Sequence, residues 1–571
     1  MRTLRYTLSC ANPQQRYIQF QLEIEVSEEV LVLQLPAWRP GRYELGNFAK
    51  NIKGFRVFNE KNERLAFEKK GKDTWHIRCG SSQHIRVEYA YYAAELNAGS
   101  SYLDERQLYV NPVNCFMWLD QEAENPISLQ LEIPNKWKIA SGHMFENNAA
   151  HFPNFDRLAD SPFICSAQLE QRSYTVGATE FHICFNEQAF IPWERVLRDF
   201  EAFTKRQIED FGEFPVASYT FLIQSLPYQA YHGVEHLDST VITLGPSSEV
   251  FGSLYNELLG VSSHELYHAW NIKSIRPAEM LPYAFKHENY AKSGLVYEGI
   301  TTYMGDLYLL KSGVFSLEQY LTEFSKQLQK HIDNPARFQY SVAESSYDTW
   351  LDGYVPGAPG RKVSIYTEGC LLAFATDIKI RKATQNKASL AQVMRILYYE
   401  VACQQKGYTL ADYQALLENI AGISFADFFT DYVFGTASYE ALLVEAFEDL
   451  GLRWKQEASS SYAEARLGMK VVATGQDWLI SAIYPGSPAD VGGLALNDLI
   501  LGVNGMRSVP SLDTWLRYFE DQLKTLLVQR NGRLLEKTIP EVDRNFFVKN
   551  QVVAATELNH SQQKTLLSWK R

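Results

Sequence analysis

The sequence predicts a multidomain α+β protein with a β-rich amino-terminal third, a middle that passes from strands to helices, and a small separate unit near the carboxyl end. Three observations carry that reading. A chain of 571 residues is longer than one domain usually runs. Apolar and polar residues alternate with period two through the first third, and helical periodicity takes over from Glu249. A composition that is 46% hydrophobic and 21% charged belongs to a soluble globular protein.

Taken in order, Ile18, Phe20, Leu22, Ile24 and Val26 alternate with polar neighbours, as do Ile127, Leu129, Leu131 and Ile133 before Pro134. Turn-rich stretches such as Arg39-Pro40-Gly41-Arg42 separate such strands, giving an antiparallel sandwich over residues 1–170 whose expected role is scaffolding. Strands continue through 218–224 and 239–244, and the chain then turns helical. Ser316 with Gln319, Ser389 with Gln392, Thr409 with Asp412 and Ser424 with Asp427 each place a capping oxygen before an apolar run. The catalytic part is expected over 171–458.

The chemistry is concentrated in His264-Glu265-Leu266-Tyr267-His268. Positions four apart share a helix face, so His264 and His268 can bind one ion while Glu265 points towards its water. Val250, Leu254, Leu258 and Val261 lie at helical spacing and predict a helix leading into the motif from Glu249. A catalytic zinc usually takes three protein ligands, and Glu298 is the third candidate. It lies in a largely apolar helix expected between Ser293 and Gly313, where a carboxylate is expensive to bury unless paired or metal-bound. His287 and Glu288 are nearer in sequence but fall in a polar connection, and rank far below it.

The formal net charge is −12, which argues against a nucleic-acid or anionic-membrane partner. Seven cysteines, an odd number without a CxxC pair, fit buried thiols in a reducing compartment. No segment has the length of a membrane span, and the apolar stretch at the start is too short for a secretory signal, so a cytoplasmic location is expected.

Leu467-Gly468-Met469, Tyr484-Pro485-Gly486-Ser487-Pro488-Ala489, Gly492-Gly493-Leu494, Asn497-Asp498-Leu499-Ile500 and Val503-Asn504-Gly505 together resemble a PDZ domain, expected over 459–545 with a tail over 546–571. Backbone amides near Leu467, Gly468 and Met469 would then receive the carboxylate of an extended peptide or protein carboxyl terminus. A purely structural PDZ domain is the alternative.

Beyond that unit, nearly the whole chain resembles the glycyl aminopeptidase family of gluzincin zinc metallopeptidases, which join a β-rich domain, a thermolysin-like catalytic domain and a PDZ domain. The resemblance is carried by residues 36–43 (Pro-Ala-Trp-Arg-Pro-Gly-Arg-Tyr), Gly233-Val234-Glu235-His236 with Ser239-Thr240, residues 264–277, Tyr297-Glu298-Gly299 and Tyr366-Thr367-Glu368-Gly369. It implies one zinc per chain, held by His264, His268 and Glu298, with Glu265 as general base. It also implies that Gly233 and Glu235 bind the substrate, Glu235 by its free ammonium, and that Tyr366 stabilises the oxyanion. His232-Gly233-Val234 departs from the two glycines and leucine usual in the family. The implied activity is removal of small residues, Gly or Ala, from peptide amino termini by a zinc-activated water. Two alternatives stand beside it: a zinc endopeptidase guided by its PDZ domain, and a non-catalytic, chaperone-like peptide binder.

Overall fold

The computed structural model describes residues 2–119, 122–355, 357–509 and 511–571. The amino-terminal part holds three sheets. The largest has six strands in the order Ala149–Phe152, Ile127–Glu132, Leu4–Ser9, Tyr17–Glu25, His84–Tyr92, Ile52–Asn59. Along Tyr17–Glu25 buried residues alternate with exposed or half-exposed ones, as the sequence pattern requires. One pair departs from the antiparallel expectation: Leu4–Ser9 runs parallel to Ile127–Glu132, which the long stretch of chain between them permits.

The catalytic part opens with a five-stranded mixed sheet, ordered Leu169–Val176, Thr179–Asn186, Ser218–Ser225, Ser239–Gly245, Ala230–Glu235. Ala230–Glu235 is therefore an edge strand. It pairs antiparallel with Ser239–Gly245 and leaves its other side towards the helices. The helix carrying the histidine motif spans Tyr255–Tyr267 and packs against Thr301–Lys311. It starts later than Glu249 because residues 249–254, which include Gly252 and Ser253, form turns, so the apolar spacing there belongs to a turn and not to a helix.

Glu298 lies in one π-helical turn, Leu295–Ile300, that runs straight into Thr301–Lys311. Beside it packs Ile365–Ala383, at a closeness only glycine allows: a Cβ on Gly299 would stand 2.3 Å from the Gly369 Cα. The capping boxes at Ser316, Ser389 and Thr409 form as expected. Ser424 caps differently, accepting from Ala426 at 3.1 Å, ahead of a short helical run in which Ala426–Phe428 passes directly into the π-helical Phe429–Val433.

After the helix Glu440–Leu450, the strand Leu452–Ala458 pairs antiparallel with Val548–Ala554. The PDZ-like unit lies between these two strands, around its own apolar cluster of residues such as Ile480, Val503, Leu516 and Val528. Residues 546–571, expected as a tail, instead supply that second strand and a helix, His560–Lys570. This helix buries Trp569, whose Nε1 donates to Tyr303 Oη at 2.8 Å. Among the described residues no helix is long and apolar enough to cross a membrane.

Candidate metal centre and active site

The motif helix presents His264 and, at its end, His268 towards Glu298 on the neighbouring helix. The Nε2 atoms of the two histidines are 3.0 Å apart, and Glu298 Oε2 stands 3.7 Å from the first and 3.3 Å from the second. Three ligands at ordinary bond lengths of about 2.0–2.2 Å around a tetrahedral ion are separated by roughly 3.4 Å, so this donor set fits a zinc-sized cation. Glu298 is 2% exposed, and its Oε2 has no hydrogen bond of its own. A buried oxygen that faces two imidazoles without a hydrogen bond suits a cation as its partner. Among the described residues, His287 and Glu288 take no part in any cluster of donors close enough to share an ion.

The surroundings orient these ligands. His268 Nδ1 is 2.6 Å from the Asn271 carbonyl, which turns Nε2 to the donor set. Asn271 in turn donates to Val296 O and Thr301 Oγ1, tying the motif to the Glu298 helix. Burial raises the Glu298 carboxyl, but the charge of His268 and the neighbouring His264 outweigh it and hold the group down at about 2. Burial lowers His268, while Glu298 raises it to about 10.

Glu265 is buried, with Oε2 unpartnered. Burial pushes its carboxyl well up; His268 opposes this, and Glu235 and Glu298 add to it. Gly233 stands over it, for a Cβ there would lie 2.1 Å from Glu265 Oε1. Glu235, 4% exposed, ends the edge strand with Oε1 unpartnered. Tyr366, in the first turn of Ile365–Ala383, has its ring 6.5 Å from that of His264 and shares a 3.2 Å hydroxyl contact with Tyr354. All of these except Tyr354 line one cleft of about 650 Å³.

The amino-terminal part is more than scaffolding. Its loop 36–43 reaches the cleft: Tyr43 Oη donates to Glu298 Oε1 at 3.3 Å, and Gly41, with φ +82°, packs so close that a Cβ would lie 2.5 Å from Glu235 Oε2. Trp38 anchors the loop through Nε1 to Ala284 O at 2.8 Å. The segment stands out in the sequence as a signature, but nothing in the sequence places its residues at the site. Behind Glu235, Asp160 holds both His236 Nδ1, at 3.0 Å, and Lys273 Nζ, at 2.7 Å.

The PDZ loop is arranged differently. Leu467 and Met469 are buried in the small core, and the Gly468 amide already donates to Ala463 O. The Gly468 carbonyl accepts from Tyr484 N and Ser487 Oγ, and the Phe546 ring lies against the loop.

Family models match residues 5–167 as a peptidase M61 N-terminal domain, 257–372 as M61 glycyl aminopeptidase, and 479–530 as a PDZ domain. Among solved structures, an aminopeptidase N family protein from Idiomarina loihiensis is 24% identical, with each chain covered over 100% of its length and a TM-score of 0.89. An M1 zinc metallopeptidase from Deinococcus radiodurans is 13% identical over 74% of this chain and 90% of that one, with a TM-score of 0.43. The search of curated proteins returned no match. The chain therefore carries matches to the M61 amino-terminal and glycyl aminopeptidase domains and to a PDZ domain, and it is a metallopeptidase.

Proposed function

We propose that this metallopeptidase is a zinc aminopeptidase that removes small residues, Gly or Ala, from the free amino termini of peptides, with one zinc per chain held by His264, His268 and Glu298. The observation that carries the reading is Glu235: a buried carboxylate with an unpartnered oxygen in the cleft that holds the metal ligands suits a substrate ammonium. Gly41, His232 and Tyr366 line the same cleft and narrow it, which favours small first side chains. Seven free cysteines, six of them buried, favour a reducing, cytoplasmic setting.

When bound, zinc would supply Lewis acidity, polarising the scissile carbonyl and acidifying the attacking water. The chain's own residues do the rest. Glu265 Oε2, free of other partners, accepts the proton of that water and returns it to the leaving amine. Tyr366 Oη donates to the oxyanion as it forms, with Tyr354 steadying the hydroxyl. The outer edge of Ala230–Glu235 aligns the peptide backbone. Glu235 fixes the amino terminus and so sets the register of cleavage.

Metal analysis combined with hydrolysis of one Ala-initiated peptide, free and N-acetylated, tests the reading. The free peptide is expected to be cleaved and the blocked one spared, with the difference shrinking in Glu235→Ala. Equal cleavage of both by the native enzyme would overturn the exo mode and favour an endopeptidase.

A further inference from the structure

We propose that Asp306 sets the preference for the residue immediately after the scissile bond, favouring lysine or arginine there over glutamate or aspartate. This rests on the reading that Glu235 holds the substrate's amino terminus.

The edge strand serves as a ruler. Glu235 lies at its end, and Gly233 stands directly over Glu265, so the bond to be cut lies level with Gly233. A peptide anchored at Glu235 and paired with the strand then runs on past Tyr231, roughly 7 Å beyond Gly233 at the usual rise per residue. The wall changes character there. The carboxylates of Asp306, Glu257 and Glu323 all act on the Tyr231 hydroxyl, and all three line the cleft.

Asp306 occupies the floor. It lies two turns beyond Glu298 on the same helical run, and its Oδ1 is 3.7 Å from where a Cβ on Gly260 would be, one turn before His264. Among the described residues its carboxylate makes no hydrogen bond or ion pair. Glu257 Oε2 is likewise buried without a hydrogen-bond partner. Lys326, the nearest ammonium, is committed to Glu323 at 2.7 Å and stands 4.0 Å from Glu257; Lys330, one turn on, is exposed. Burial, and then Glu323, raise the Asp306 carboxyl to about 7 against the pull of Lys326 and Lys330. This side of the cleft is short of one positive charge. A lysine or arginine side chain entering after the scissile bond supplies it, whereas a carboxylate there meets like charge.

The test compares kcat/KM for Ala-Lys-Ala-Ala-amide, Ala-Gln-Ala-Ala-amide and Ala-Glu-Ala-Ala-amide, using the native enzyme, Asp306→Asn and Asp306→Glu, each also with N-acetylated peptides. The native enzyme is expected to rank Lys above Gln above Glu, with at least about threefold per step, the scale of a partly exposed charge pair. Asp306→Asn should bring the ratios towards one and Asp306→Glu should retain them. Equal rates by the native enzyme, which need no variant to fold, overturn the proposal, as does an unchanged ranking in Asp306→Asn. Flat ratios with the blocked peptides still spared overturn the role of Asp306 alone. Cleavage of blocked peptides overturns the Glu235 reading and, with it, the placement of Asp306.

Discussion

The cleft and the PDZ loop were both expected to bind a peptide terminus, and they treat their polar groups in opposite ways. In the cleft, Glu235, Glu265 and Glu298 each keep a buried carboxylate oxygen without a hydrogen bond. At the PDZ loop the Gly468 amide is spent on Ala463 and its carbonyl on Tyr484 and Ser487. Leaving buried acceptors unmatched costs stability, of order 1–3 kcal/mol each, so it persists where a ligand supplies the missing partner. Gly468 has already met that demand within the chain. The difference separates a cleft whose buried carboxylates stay open from a loop whose central glycine is already engaged.

The contrast breaks first at the proposed metal ligands. Replacing His264 and His268 together by Ala is expected to abolish metal binding and activity, whereas Glu265→Gln should keep the metal while turnover falls by roughly 10²–10⁴-fold. Metal analysis beside the activity assay checks both, and metal retained by the double variant would remove the cleft's distinction. Next in size, Tyr366→Phe should lower kcat by about 10²–10³ with little change in KM, the scale of a lost oxyanion donor. A loss confined to KM would make Tyr366 a packing or binding residue.

A smaller effect is expected behind Glu235. Burial raises the Asp160 carboxyl, but Lys273 and His236 more than reverse this and hold it well below the usual carboxylate range. A carboxyl whose folded pKa is depressed adds stability above its unfolded value of about 3.9 and loses it as pH falls below that value. Thermal melts from pH 6 to 2.5 should therefore show less acid sensitivity in Asp160→Asn than in the native protein; parallel curves would discount the cluster. The smallest effect belongs to the PDZ loop. A peptide ending in a free apolar carboxyl group is expected to leave kcat/KM unchanged within about twofold, since Gly468 has no amide to offer. Clear binding by calorimetry would place the loop beside the cleft as a second ligand site.

Much of the site was legible because it is local. The two histidines are one helical turn apart, and the capping boxes and alternating strands likewise declare themselves within a few residues. Glu298 could be found because a carboxylate in an apolar helix needs a reason. Tyr43 could not: 255 residues separate it from Glu298, and no periodicity records a contact made across that distance. The same holds for Asp160 beneath Glu235 and for Trp569 against Tyr303. The misplaced helix start at Glu249 has a local cause, apolar spacing that happened to continue through a turn.

The paired strands Leu452–Ala458 and Val548–Ala554 have a mechanical consequence. The PDZ unit hangs from the catalytic body by two antiparallel tethers, and the chain returns through the second to place Trp569 inside that body. It is an inserted loop grown to domain size, so truncating the chain after it also strips a helix from the catalytic part. Ala458 and Val548 face each other at the mouth of the insertion, the spacing that a two-residue hairpin turn spans. Cutting there and joining the strands would excise the PDZ unit while leaving the return strand and its helix in place.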